Sequence, residues 1–331
     1  MGRCALLLVL VLVGCRTGAG ALERLDPASV ASGEAGAESE PPAALPVEGA
    51  SAPRDADGAS GASQGAGEGC GAEAVTLDEI HSGRVRSGAA LAVSDLVATS
   101  QKFLVSEAKS GSCLWGAFAA GSRRAGAGSG LLLVSFGAKH VDGEACVPGT
   151  DALPADVTPG DALRVEGTLR QYVSAECDGV APAPQLRVDA ACPARRLGHT
   201  DAPAPAVVDR ALATRLAEGK DRQLLRDWSG ALIALDGVTA LQDADDGDAV
   251  FPFGVIRLVE TPLEVHSRLY YFDLSEGGPR AATKTPRFGY PSRFERITGL
   301  VFLDYCRWSL APRDRCADLA PASDDCAADR G

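Results

Sequence analysis

From residue 90 onward the apolar residues fall into short β-type runs, and Gly, Pro, Asp and Ser fill the gaps between them. The runs are Ala90–Ala98 (ALAVSDLVA), Lys102–Ser106 (KFLVS), Leu131–Phe136 (LLLVSF), Ala162–Leu169 (ALRVEGTL) and Gln185–Val188 (QLRV). Runs of this length with these breaks predict strands. Five of them in about 120 residues predict a small antiparallel barrel or sandwich. One short helix precedes them. Thr76-Leu77-Asp78-Glu79 has the Thr-x-x-Glu form of a capping box, Leu77 and Ile80 are apolar, and Gly83 is a stop.

A Pro-rich break, Ala202–Ala206 (APAPA), separates this region from a second one. Val207, Val208, Ala211, Leu212 and Leu216 follow at helical spacing and end near Gly219. After Trp228 the strand pattern returns in Gly230–Leu241, Val255–Glu260, Leu269–Asp273, Ile297–Leu303 and Trp308–Leu310. The two regions echo each other. A strand with an internal glycine (Val165-Glu166-Gly167 and Ile297-Thr298-Gly299) is followed by an aromatic, a cysteine and a last short strand.

The N-terminal segment is of another kind. Arg3 precedes the unbroken apolar stretch Ala5–Val13, which is shorter than the roughly 20 residues that span a bilayer. It reads as the apolar core of an export signal. Leu12-Val13-Gly14-Cys15 closes it and resembles the lipobox of bacterial lipoproteins. In that family the cysteine thiol is alkylated with diacylglycerol, the signal is cut off, and the new amino group is acylated. The resemblance implies a signal over 1–14, lipid attachment at Cys15 and a membrane held through that lipid. Arg16, rather than Asp, follows the cysteine and points to outer-membrane placement. The competing reading is a secretory signal cleaved after Ala19-Gly20-Ala21.

Between Cys15 and residue 72 the chain is Ala, Gly, Ser, Glu and Pro with almost no large apolar side chain. From Arg16 to Ala72 it carries nine acids against three bases. Such a segment buries too little apolar area to offset its ordering entropy, so a disordered tether is expected. The whole chain has a formal charge of −12, which repels phosphate and argues against a binder that relies on net charge.

The run Ile80…Gly83-Arg84-Val85…Gly88…Val93-Ser94-Asp95-Leu96-Val97-Ala98-Thr99, with Phe103-Leu104-Val105, resembles the opening strands of OB-fold domains of secreted bacterial nucleases and surface proteins. Gly160-Asp161…Leu163-Arg164-Val165-Glu166-Gly167 resembles their fourth-strand motif. Trp228–Ile233 and Ile297–Leu300 through Pro312-Arg313 look like a second copy, as in tandem-OB lipoproteins. The resemblance implies a mainly β chain with two small antiparallel OB-like barrels and short helices. They span 73–200 and 201–318, behind the tether and ahead of an acidic tail over 319–331. These motifs are strand and turn signatures and carry over no activity.

Ten cysteines are present. Cys4 lies in the signal and Cys15 is the lipid site; the others are Cys70, Cys113, Cys146, Cys177, Cys192, Cys306, Cys316 and Cys326. An even number in an exported chain predicts disulfides. Two pairings are expected: Cys177–Cys192 around a hairpin, and Cys306–Cys316 at the matching place in the second region. The alternative is zinc, but no C-x-x-C occurs, and His81, His140, His199 and His266 are scattered.

The chain shows no His-Glu-x-x-His and no Walker-type loop, and it calls for no cofactor. His199 reads as a solvated loop residue, and His266 as a satisfied or exposed strand residue. Asp243, Asp245, Asp246 and Asp248 form a weak calcium candidate that misses the EF-hand spacing, and a polar hairpin connection is the plainer account. Neither β region is basic: 14 acids face 12 bases over 73–200, and 18 face 15 over 201–318. The local exception is Arg280, Lys284, Arg287, Tyr290, Arg293 and Arg296, an anion- or polymer-facing loop that reads equally as a solvated connection. The sequence therefore points to a lipid-anchored, non-catalytic binding or adaptor module for an envelope protein or a polysaccharide. The alternatives are a nucleic-acid-binding accessory protein that uses the Arg280–Arg296 loop and, further off, a hydrolase.

Overall fold

Thr76 starts the first helix as its capping box predicts. The Glu79 amide donates to Thr76 Oγ1 at 3.3 Å, and the Thr76 amide donates to Glu79 Oε2 at 2.9 Å. This reciprocal pair satisfies two donors that a helix start leaves open. The computed structural model describes residues 71–107, 112–121, 125–138, 146–147, 149–173, 177, 179–241, 255–266, 269, 293–304, 306–314 and 316–321. All of them belong to one unit by contact.

The first region contains β1 (Glu73–Ala74), α1 (Leu77–His81), β2 (Ala90–Ala98), β3 (Phe103–Glu107), β4 (Ser112–Gly121), β5 (Gly130–Ala138), β6 (Asp161–Tyr172), β7 (Ala183–Arg187) and β8 (Arg195–His199). β2 pairs antiparallel with β4, β4 with β5, β6 with β7 and β6 with β2; the one parallel step is β5 with β7. These five strands close a barrel. Leu91, Val93, Leu131, Leu133, Leu163, Val165, Leu169 and Leu186 fill it, and Leu77 and Ile80 of α1 plug one end. Each large apolar side chain so buried contributes about 1.5–3 kcal/mol.

The Ser94-Asp95 step in β2 is a bulge. Register with β6 shifts between Val93 and Leu96, and Asp95 sits at φ +61. The extra residue moves the inward positions from Leu91 and Val93 to Leu96 and Ala98, so both halves of the strand keep an apolar inner face. Edge strand β8 is exposed at all five residues, and its Arg195, Arg196 and irregular register guard it against pairing with other chains.

The second region contains β9 (Ala206–Val207), α2 (Arg210–Glu218), α3 (Arg222–Trp228), β10 (Leu232–Thr239), β11 (Val255–Ile256), β12 (Glu264–His266), β13 (Arg293–Asp304), β14 (Arg307–Ala311) and β15 (Leu319–Ala320). Its sheet repeats the order of the first. β10 pairs antiparallel with β13, β13 with β14 and β11 with β12, while β12 and β14 run parallel. A bridge between Ala240 and Leu258 joins the end of β10 to the chain just past β11. The correspondence extends to single residues. Leu91 lies between Glu73 and Gly167, as Ile233 lies between Ala206 and Gly299. Both glycines are crowded: a Cβ at Gly167 would sit 2.3 Å from the Arg187 carbonyl oxygen, and one at Gly299 2.8 Å from the Ala311 carbonyl carbon.

Four expectations are corrected. β4 (SCLWGAFAAG) was not expected, because Gly116, Ala117, Ala119, Ala120 and Gly121 give it little β-branched signal. α2 starts at Arg210 rather than at Val207, since Asp209 caps it by accepting the Leu212 amide at 2.7 Å. Leu319 and Ala320, placed in the tail, form β15 on β13 because Leu319 has an apolar seat there. The disulfide pairing also differs. Cys177 bonds Cys306, neither Cys192 nor Cys316. These two cysteines follow β6 and β13, equivalent places in the two regions, and their Cα atoms are 5.0 Å apart.

Candidate functional site

The outer face of β4 and β5 is covered by the second region. Phe118, Leu132 and Val134, with Phe103 from β3, pack against Leu232, Leu300, Phe302 and Ala311 of β10, β13 and β14. The Phe103 and Phe118 rings stack at 5.6 Å, and Phe302 meets them edge-on at 6.3 and 5.6 Å. Such pairs add about 0.5–1.5 kcal/mol each beyond burial. Arg313 adds a polar link, pairing with Asp318 at 2.6 Å and reaching the Thr99 carbonyl at 3.3 Å.

A buried ion pair lies at one end of the barrel. Lys102 Nζ is 2.5 Å from Asp151 Oδ2, with side-chain exposures of 2% and 0%. The ammonium also sits 5.3 Å from the centre of the Trp115 ring, beside the Cys113–Cys146 disulfide. Asp151 Oδ1 accepts the Leu153 amide at 2.9 Å. Desolvated on all sides, the two charges hold each other, and each leaves the other stranded if removed.

His266 sits between two carboxylates. Its Nδ1 is 3.5 Å from Asp304 and its Nε2 3.7 Å from Glu264, which in turn takes Arg307 at 2.9 Å and Arg257 at 3.4 Å. Both imidazole distances exceed the 2.6–3.2 Å or so over which a base is oriented for proton transfer. The ion pairs of Glu264 with Arg307 and Arg257 tie β12 to β14 and to the chain after β11, and His266 lies against Glu264 and against Asp304 of β13. His199 pairs with Asp161 at 3.2 Å, and Arg196 reaches the same carboxylate at 3.0 Å. Burial alone raises the Asp161 pKa. The Thr158 amide, His199 and Arg196 overcome that, and the net shift is downward. The Gly-Asp motif is thus structural: Asp161 ties the β6 start to β8, while Gly160, at φ +100, has no room for a Cβ beneath Thr200 and His199.

Of the sequence candidates, Arg293 and Arg296 lie on β13. Arg296 donates to both Asp236 oxygens, at 2.7 and 3.0 Å, and holds that carboxyl below its ordinary range. Cys113 pairs with Cys146, and Cys192 and Cys316 are also disulfide-bonded. Cys15, Cys70, Cys326, His140, Arg280, Lys284, Arg287, Tyr290, Asp243, Asp245, Asp246 and Asp248 lie outside the described residues. Among the described residues no group of three His, Cys, Asp or Glu side chains is arranged to hold a metal ion. Neither Lys102 with Asp151 nor the placement of His81 carried a sequence signal, because their partners are distant in the chain. Comparison with protein-family models, curated proteins and solved structures yields no match.

Proposed function

We propose that the protein is a lipid-anchored component of the cell envelope, held at the outer membrane through Cys15, whose two OB-like units form a non-catalytic binding or adaptor module for an envelope protein or a polysaccharide. The observation that carries this reading is the oxidised state of every described cysteine, with Cys177–Cys306 tying the two β regions together. Structural disulfides belong to exported proteins, which agrees with the apolar stretch and Cys15 near the N-terminus. The β2-β4-β5-β7-β6 closure with its single parallel step, repeated in pairing order by the second sheet, supports the OB-like assignment.

OB barrels bind oligonucleotides and oligosaccharides on the face of their second and third strands. Here that face, β4 and β5, is packed against β10, β13 and β14. A partner of this module engages other surfaces. The pairing of Arg296 with Asp236 also weakens the nucleic-acid alternative. The test is co-sedimentation of the purified full-length protein with peptidoglycan sacculi and with outer-membrane polysaccharide, beside a salt titration of single-stranded DNA binding. Retention by the cell-wall material alone agrees with the proposal. Salt-sensitive DNA retention that Arg293→Ala weakens overturns it in favour of the accessory-protein reading.

A further inference from the structure

His81 closes α1 and is 2% exposed. Its Nδ1 lies 2.6 Å from the Arg226 carbonyl oxygen in α3, and its Nε2 lies 2.8 Å from the Gly130 carbonyl oxygen in β5. Carbonyl oxygens only accept, and a neutral imidazole owns a single N–H. Both contacts are hydrogen bonds only when both ring nitrogens carry protons. The Arg226 carbonyl is free to serve because the Gly230 amide, four residues on, donates to Val301 instead. Carbonyls in the last turn of a helix also favour a cation.

The surrounding charges are accounted for. On its own helix, Glu79 is engaged by Thr76, and Asp78 faces Gly128; Arg84, just past the helix, donates to Ser82. From α3, the Arg226 guanidinium lies over Gly83, and Asp227 takes Gln223 Nε2 at 2.7 Å. Gln223 Nε2 also donates to the His81 carbonyl at 3.2 Å. The Gly126–Gly130 turn contributes no titratable side chain.

We propose that His81 is held as an imidazolium and acts as a proton-operated clasp between the two β regions. Loss of one ring proton leaves a carbonyl without its donor in a buried contact, which loosens the seam where α1, α3 and β5 meet. The clasp is complete only while Nδ1 and Nε2 both carry protons, one for the Arg226 carbonyl and one for the Gly130 carbonyl.

The test is NMR of the histidine ring nitrogens in the intact, disulfide-bonded protein, with unfolding measured from about pH 5.5 to 8.5, either side of ordinary histidine titration. The expected result is two protonated ring nitrogens on His81 at the acid end. The wild type should also lose folding stability across that range, a loss that His81→Gln does not share. One unprotonated nitrogen at the acid end, or parallel pH profiles for wild type and variant, overturns the proposal. If His81→Gln does not fold, the ring nitrogens of the wild type decide alone.

Discussion

Gly130 and Gly230 meet backbone to backbone: a Cβ on Gly130 would lie 2.0 Å from the Gly230 carbonyl carbon. Gly230 itself sits at φ +71, and a Cβ there would be 2.9 Å from the Leu131 amide nitrogen. One glycine opens β5 of the barrel and the other precedes β10 of the second sheet. The two regions touch backbone to backbone here, and backbone, unlike a flexible side chain, cannot step aside.

Gly130→Ala should therefore destabilise the protein by about 3 kcal/mol, the upper end of overpacking costs, as read by urea unfolding. Gly198→Ala is the control, since nothing lies within 4 Å of its Cβ position, and it should stay within about 0.5 kcal/mol of wild type. Equal effects at the two sites would remove the close-contact argument.

Lys102→Met should cost about 3–5 kcal/mol, because it leaves Asp151 charged and buried without its partner. Adding Asp151→Leu should recover much of that loss, since an apolar pair of similar volume tolerates the same seat. Chemical denaturation of the two singles and the double gives the cycle. A double variant as weak as the sum of the singles would contradict the desolvated-pair account.

Removing the Cys177–Cys306 bond, which spans 129 residues of sequence, should lower stability by about 3–5 kcal/mol in the chain-entropy account. Thermal melting of Cys177→Ser/Cys306→Ser against wild type measures it. An unchanged melting temperature would show that the non-covalent seam suffices on its own.

The acid limb of stability should depend on Asp161. Its carboxyl is held below the ordinary range by Thr158, His199 and Arg196 against the opposing effect of burial. A depressed carboxyl stabilises above its unfolded pKa of about 3.9, and the contribution is lost as pH falls through the lower folded value. Asp161→Asn should therefore be less stable at neutral pH and show a flatter decline below about pH 4. Glu260, lowered by Thr239 despite burial, adds to the same limb in both proteins. Identical wild-type and variant curves would show that the Thr158, His199 and Arg196 contacts do not stabilise the charged form.

What the sequence made legible was local. The capping box at Thr76 needs only Glu79, three residues on, and it forms. The glycine echo between Gly167 and Gly299 marks two strands whose neighbours press on the same spot in each region. Strand runs rich in Val and Leu announced β2, β5, β6, β10 and β13. β4 went unread because small residues form it where Phe103, Leu132 and Val105 crowd Gly116. The joining contacts were illegible for another reason. His81 meets Arg226 across 145 positions, and Cys177 meets Cys306 across 129. Such pairs are created by the packing of one sheet on another, so no local pattern encodes them.

The lipid anchor of the envelope reading is assigned to Cys15, and the N-terminal peptide of the native protein tests it most directly. Mass spectrometry of protein extracted from membranes should find Cys15 as the first residue, carrying a diacylglyceryl thioether and an acylated amine, with Cys15→Ala losing both. An unmodified N-terminus at Leu22 or at Met1 would contradict it.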